Sequence, residues 1–358
     1  MAATKSSGRK PASNGWCKKL KRILIVGHGS VGKRHVRIVR ESLPDATIMV
    51  FRHERTTDIP EMANLVTSSM DDVRSFAPQA AIVANPAPFH LGIANALAEM
   101  GCHLLIEKPI ADKSDDVADF LDTVRAAGVI GQVGYNLRYL PSLSRFRDLI
   151  NEGLVGKPLS VRCEIGQYLP DWRPNTDYRA GVSARGDLGG GVLLELSHEF
   201  DYLRWIFGEM HWLNAWVGNV SDLDVDVEDV AYLNIGFGSN PSEKPVVVNL
   251  NMDFVRRDPA RLCTVIGELG TLRWNGLTGC VDHFDPGRSN WEQIVSIPHD
   301  RDDSYKAQWD HFLSCVESGA QPLVDGDAGL RVLAMVDMAR RSAELNGARV
   351  FADKKYGL

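Results

Sequence analysis

No C-x-x-C pair occurs among the six cysteines, which stand singly at Cys17, Cys102, Cys163, Cys263, Cys280 and Cys315. That scatter supports neither a zinc site nor a redox dithiol, and no metal is expected. No apolar run approaches the roughly 18 residues of a membrane span. Nor does a continuous apolar segment follow the first basic residues, so no secretory signal is visible and a cytoplasmic location is expected. An excess of positive charge is missing as well: the formal net charge is -6. This argues against nucleic acid or an anionic membrane as the main partner. Basic residues cluster only near the start (Lys5, Arg9, Lys10, Lys18, Lys19, Lys21, Arg22), in a stretch rich in Ser, Gly and Pro. Residues 1–20 read as a disordered basic tail. There is no internal repeat.

What remains is an ordinary globular composition, 44% hydrophobic and 24% charged, over a length that suits two domains of roughly 150 residues. From Arg22 apolar strands alternate with helices. RILIVG is a buried strand and Gly32 to Glu41 a helix. TIMVF and AAIVAN are further strands, the latter followed by a helix from Phe89 to Met100. HLLIEK precedes a helix from Ser114 to Ala127, and VIGQVGYN is a fifth strand. Continuous apolar strands between helices predict a parallel sheet covered on both faces, the doubly wound α/β architecture, over residues 21–135. Beyond Tyr135 the rhythm changes. After a helix from Leu143 to Glu152 come many strands with few helices between them, spaced like a meander. The prediction for 136–358 is an α+β domain on a large, mostly antiparallel open sheet, serving substrate binding and oligomerisation. Two helices close the chain, Ser304 to Ser318 and Ala328 to Asn346, the last packing back toward the first domain. The alternating apolar residues of KPVVVNLNMDF predict an apolar open face, and with it a homodimer or homotetramer through that sheet.

VGHGSVG follows the first strand and opens the first helix, supplying Gly27, Gly29 and Gly32 as G-x-G-x-x-G with Ser30 and Val31 between. The first glycine permits the tight turn, the second lets backbone approach a pyrophosphate, and the third allows close helix–strand packing. The helix N-terminus faces the anion with free N–H groups. The region therefore reads as a dinucleotide-binding Rossmann domain. An acid at the end of the second strand would hold the ribose hydroxyls of NAD. That end reads Phe51, Arg52, His53, with Glu54 later, and Arg52 and Arg55 suit a 2′-phosphate. NADP is expected, with NAD as the alternative.

GDLGGGVLLELSHEFDYLRWIFGEM reads as one helix between a glycine triplet and Gly208. At about 100° per residue Leu196, Phe200, Leu203 and Phe207 share a core stripe, and His198 falls opposite. Glu195, Asp201 and Tyr202 flank it, and i,i+3 spacing puts either acid within reach of the imidazole. A carboxylate there would fix the tautomer of a general base. A plain solvent face is the alternative. The polar and aromatic stretch GQYLPDWRPNTDYRAGVSARGD offers Trp172, Arg173, Tyr178, Arg179 and Arg185 to a sugar, phosphate or carboxylate, or else covers the sheet as a structural loop. SDLDVDVED lacks the glycine and final acid of a calcium loop and reads as a solvated strand entry.

Taken in order, GHGSVGKRH, NPAPFH, EKPIAD, GYNLRYLP, GGGVLLELSHEFDYLRWIFG, VEDVAYL and IGELGTLRW resemble the glucose–fructose oxidoreductase / inositol dehydrogenase (Gfo/Idh/MocA) family, from about Lys21 to Phe351. The resemblance implies an NAD(P)-dependent oxidoreductase acting on a sugar, polyol or nucleotide sugar, with relatives in surface-sugar biosynthesis. It makes Lys108 and His198 the catalytic pair and the Lys108–Pro109 bond cis. Asn85, Pro86, His90, Glu107, Lys108 and Asn136 fall with the cofactor, and Arg138 with the substrate. Where the family commonly has an Asp four residues before the histidine, this chain has Leu194, so Glu195 or Asp201 is left to assist His198. A glycosidase using tightly held NAD for transient oxidation, and a non-catalytic dinucleotide-binding regulator, are the rival expectations.

Overall fold

The computed structural model describes residues 20–239 and 244–352, and the expected basic tail up to residue 19, with Cys17, lies outside the described residues. Leu20 is buried. Strands β1 (Arg22–Val26), β2 (Thr47–Phe51), β3 (Leu65–Thr67), β4 (Ala80–Val83), β5 (His103–Ile106) and β6 (Gly131–Val133) form one sheet in the order β3-β2-β1-β4-β5-β6. Every neighbouring pair is parallel. Helices α1 (Ser30–Ser42), α2 (Met70–Phe76), α3 (His90–Glu99) and α4 (Val117–Ala127) make the crossovers. Ile23, Leu24, Ile25 and the whole of β4 are buried because both faces of the sheet are covered. Strand β3 and helix α2 are additions to the sequence reading. Three residues at a sheet edge are too few to show a period.

After α5 (Pro141–Asn151) a second sheet holds nine strands: β7 (Pro158–Gly166), β8 (Glu209–Gly218), β9 (Val230–Gly238), β10 (Val246–Asp253), β11 (Ala260–Gly267), β12 (Thr271–Asn275), β13 (Cys280–Asp285), β14 (Asn290–Ser296) and β15 (Val350–Phe351). Their order is β14-β13-β12-β11-β7-β10-β9-β8-β15. It is mostly antiparallel but not a simple meander: β7 lies between β11 and β10 and runs parallel to β10. The expected long helix before Gly208 is two pieces, α6 (Val192–Glu195) and α7 (His198–Phe207). Between them Ser197 Oγ donates back to the Leu194 carbonyl at 2.8 Å, a local bond that competes with helix continuation.

Period two also corrects the reading of β10. Val248, Leu250 and Met252 point into the core, while Val247, Asn249 and Asn251 lie on the open face. Most of the apolar residues of that strand are the covered ones, Val247 being exposed. The open face is mixed, with Asn234, Asn249 and Asn251 beside the exposed rings of Trp216 and Tyr232, 5.9 Å apart.

The closing helices, α8 (Asp303–Ser318) and α9 (Gly326–Glu344), both reach back to the parallel sheet. Trp309 and Phe312 of α8 complete the core formed by Ile23, Ile25, Val36, Ile48 and Ile82. At α9, Gly326 meets Leu121 and Gly329 meets Val133, where any Cβ would collide. Ser342 Oγ on the same helix receives the Ala215 amide of β8 at 2.8 Å. A buried ion pair adds to the join: Arg138 gives Nε and Nη2 to Asp201 at 2.9 and 2.7 Å. Removing one partner strands a buried charge, so Asp201→Ala should lose roughly 3–5 kcal/mol of stability in urea titrations. Asp201→Leu combined with Arg138→Met should recover most of it.

Candidate active site

The glycine loop between β1 and α1 has the form a pyrophosphate needs. Gly27 has φ +88, and a Cβ there would sit 2.7 Å from the Ala84 carbonyl oxygen. At Gly32 a Cβ would meet the Gly27 carbonyl oxygen at 2.2 Å. At Gly29, by contrast, nothing lies within 4 Å, and the helix begins at Ser30 and Val31 with its first N–H groups unpaired along the helix. Beyond β4, Asn85 gives its Nδ2–H to the Phe89 carbonyl, while its buried Oδ1 has no partner. An open cradle and a vacant buried acceptor at the carboxyl ends of parallel strands fit a dinucleotide. Around the end of β2 the groups are cationic. His28 is held below its ordinary pKa by burial, then by Lys33 and Arg52. Arg52 is half-buried, whereas His53, Glu54 and Arg55 are exposed.

The other residues expected at the cofactor are engaged elsewhere. His90 bridges two loops, with Nδ1 3.0 Å from the Pro109 carbonyl and Nε2 2.7 Å from that of Asn85. Pro86 precedes the short turn of residues 87–89. Asn136 gives Nδ2–H to Ser304 Oγ at 2.9 Å. Glu107 turns inward to His35 Nε2 at 2.6 Å. His90, Asn136 and Glu107 thus each have a protein partner.

Lys108, at the end of β5, is followed by a cis bond to Pro109. Its Nζ donates to the Glu195 carbonyl oxygen at 2.6 Å and lies 3.9 Å from that residue's Oε1. The Glu195 carboxylate accepts from Ser183 Oγ at 2.5 Å. His198 opens α7, half-buried, with its ring edge-on to Tyr135 at 5.6 Å. Its Nδ1 is buried and has no partner. The expected carboxylate on this imidazole is absent among the described residues: the break at Leu196–Ser197 parts Glu195 from His198, and Asp201, on the same helix as His198, is turned to Arg138. Asp201 belongs to Arg138, and Arg138, buried by that pair, is not positioned as a substrate ligand. Tyr202 is fully buried instead of flanking a cleft. Burial first, then Lys108 and Arg261, hold His198 well below its ordinary value of 6.5. It is a neutral imidazole at physiological pH, able to accept a proton.

Of the residues offered for substrate, Arg179 pairs with Asp177 and Arg185 with Asp187. Trp172 gives Nε1–H to the Gln167 carbonyl and packs edge-on against Phe254, and the Tyr178 hydroxyl accepts from the Asp224 amide. Arg173 is exposed and its side chain has no polar partner among the described residues. Sequence reasoning missed Ser183, Tyr135, and the pair of Arg261 with the fully buried Glu199, 2.9 Å apart. Nothing in the order of residues links β11 to the first turn of α7.

Two signs follow from these positions. Lys108→Met should raise the His198 pKa toward its ordinary value, read by histidine-labelled NMR, since a neighbouring cation is removed. The buried, lowered His90 and His198 also affect stability. Below about pH 6.5 the unfolded chain binds protons that the native chain refuses, so stability falls as pH drops through that range. Urea midpoints between pH 7 and pH 5.5 should show the fall, and His198→Asn should lessen it.

Residues 21–135 match the family described as "Oxidoreductase family, NAD-binding Rossmann fold", and residues 147–350 match its C-terminal alpha/beta domain. A levoglucosan dehydrogenase of Pseudarthrobacter phenanthrenivorans is 29% identical over 211 residues, covering 53% of this chain and 52% of that protein. A myo-inositol 2-dehydrogenase of Thermotoga maritima is 22% identical over 341 residues, covering 90% and 96%. The first four curated relatives are matched over 52% to 64% of their own length. The solved structure of the WlbA dehydrogenase from Bordetella pertussis in complex with NADH and UDP-GlcNAcA superimposes with a TM-score of 0.76 at 21% identity, covering 94% of this chain and 99% of that one. No helix among the described residues is long and apolar enough to cross a membrane.

Proposed function

The chain belongs to the Gfo/Idh/MocA oxidoreductases, and from that premise we propose that it transfers a hydride between a nicotinamide and a carbinol or carbonyl carbon of a sugar, polyol or nucleotide sugar. One observation carries the reading: Lys108 and a neutral, partnerless His198 meet beside Glu195, at the carboxyl end of the parallel sheet. Relatives named as levoglucosan, D-xylose and myo-inositol dehydrogenases, and a relative solved with UDP-GlcNAcA, support the substrate class.

The bound nicotinamide supplies the hydride acceptor or donor. The chain's own residues do the rest. His198 takes the hydroxyl proton in oxidation and returns it in reduction. The Lys108 ammonium, held by the Glu195 carbonyl, stabilises the developing alkoxide, a role that is strong where water is excluded. Glu195, fixed by Ser183, faces the ammonium as its counter-charge. Among the described residues, Arg173 is the cation without a polar side-chain partner in the loop preceding α6, and the best remaining candidate there for an anionic substituent.

We propose NADP as the preferred dinucleotide, on the cationic end of β2 and its missing acid. Fluorescence titrations should show NADPH bound at least tenfold more tightly than NADH, about 1.4 kcal/mol, and Arg52→Ala should erase the difference. A tenfold preference for NADH would overturn the assignment. Turnover is tested with a panel of free and nucleotide-linked sugars. Lys108→Ala and His198→Ala should each keep cofactor affinity yet lose on the order of 10²–10⁴ in rate. Net reduction of added cofactor separates a dehydrogenase from a glycosidase that recycles a tightly held one. Assembly through the open face of the second sheet is the accompanying proposal, resting on exposed Trp216, Tyr232 and Val247. Light scattering should show a species larger than the 39.5 kDa chain.

A further inference from the structure

Glu107 stands directly before the catalytic lysine, and its side chain is turned away from solvent. Its Oε1 accepts from His35 Nε2 at 2.6 Å, with side-chain exposures of 10% and 0%. Its Oε2 lies 3.4 Å from the Lys108 backbone nitrogen. The carboxylate needs room to lie this way, and Gly134 provides it: a Cβ there would sit 3.0 Å from Glu107 Oε2. His35 belongs to α1, the helix that starts at the glycine loop. It is fully buried, its ring is edge-on to Tyr305 at 5.7 Å, and its Nδ1 has no partner. Among the described residues its side chain's one hydrogen-bond partner is therefore Glu107. A carboxylate accepts, so the imidazole donates, and the bond is charge-assisted.

We propose that His35 is a positioning residue for Lys108, tying the cofactor helix to the catalytic loop through Glu107. The contacts run without a gap from α1 to the second sheet's helices: His35 to Glu107, Glu107 to the Lys108 backbone, Lys108 Nζ to the Glu195 carbonyl. Lys108 is thus fixed at its backbone from the α1 side and at its tip from α6. Lose the first anchor and the ammonium keeps only its tip contacts with Glu195, on a flexible four-carbon stem. A displacement of about 1 Å at a reacting group lowers rate about 10²-fold. Neither His35 nor Glu107 faces the pyrophosphate cradle, so dinucleotide affinity should be spared. The inference rests on the catalytic role proposed for Lys108.

The test uses the full chain and three variants: His35→Leu, which removes the donor; His35→Gln, whose amide N–H reaches toward the same carboxylate; and Glu107→Gln, which keeps shape and removes charge should His35→Leu fail to fold. The first readout needs no substrate. Acetylation of Lys108 by sulfosuccinimidyl acetate, followed by peptide mass spectrometry, should proceed at least fivefold faster in His35→Leu and Glu107→Gln, with other lysines unchanged. It should return toward wild type in His35→Gln. The second readout is turnover of whichever sugar the wild type oxidises: kcat should fall at least 30-fold in His35→Leu with NADPH affinity within threefold, and recover within fivefold in His35→Gln. Unchanged Lys108 acetylation in folded His35→Leu or Glu107→Gln would overturn the proposal. So would a parallel loss of cofactor binding and kcat that His35→Gln does not rescue, since that pattern marks a merely structural residue. If no sugar in the panel is turned over, the functional reading fails while the acetylation result still decides the anchor.

Discussion

The hydrogen bond from Lys108 Nζ to the Glu195 carbonyl spans the join between two sheets of different logic. One is parallel and exhausted by its own packing: its strands are buried on both faces, and only their carboxyl ends remain available for chemistry. The other is antiparallel and covered on one face, so the helices that cover it bring α6 and α7 against those ends. A lysine tip can meet a backbone carbonyl 87 residues away only if both sheets are held at a fixed separation. The closing helices supply that constraint. Trp309 and Phe312 belong to the core of the parallel sheet, while α9 touches β6 on one side and β8 on the other.

The electrostatics of the site follow from the same join. A buried imidazole next to an ammonium and a guanidinium is driven neutral. Had Asp201 paired with His198, the imidazolium would have been favoured. Arg138 prevents this by holding both oxygens of Asp201. The ion pair therefore keeps Asp201 from other partners as well as joining two elements. Glu195 remains as the nearby carboxylate, but its oxygens face Ser183 and Lys108, so it balances the ammonium and leaves the imidazole lone pair free.

Much of this was legible in the order of residues. The glycine spacing, the continuous apolar strands and the change of rhythm near Tyr135 gave both architectures, because each rests on a period that repeats over many residues. The pair Lys108 and His198 came through family resemblance; pattern alone left His198 between a cleft wall and a solvent face. What failed did so for definite reasons. The angular argument around His198 assumed an unbroken helix, and one back-bonding serine ended it. Apolar alternation in β10 marked a half-buried strand without telling which half was buried. The sequence offered Glu107, His90 and Asn136 as cofactor-side residues without showing their protein partners, since His35, the Pro109 carbonyl and Ser304 are brought to them only by tertiary packing.

Direction is also what separates the two kinds of polar residue at the sheet's edge. Asn85 Oδ1 and His198 Nδ1 are buried and unpartnered; an unmade hydrogen bond of this kind is costly in a folded chain and is retained where a ligand completes it. Glu107, His90 and Asn136 lie on separate segments of chain, and each has a protein partner. Being unpartnered does not by itself mark a ligand face, since His35 Nδ1 is likewise unpartnered inside the core; Asn85 and His198 stand out because they lie at the carboxyl edge of the parallel sheet. There the hydrogen bonds of Glu107 and His90 tie the chain segments that carry Lys108 and Asn85.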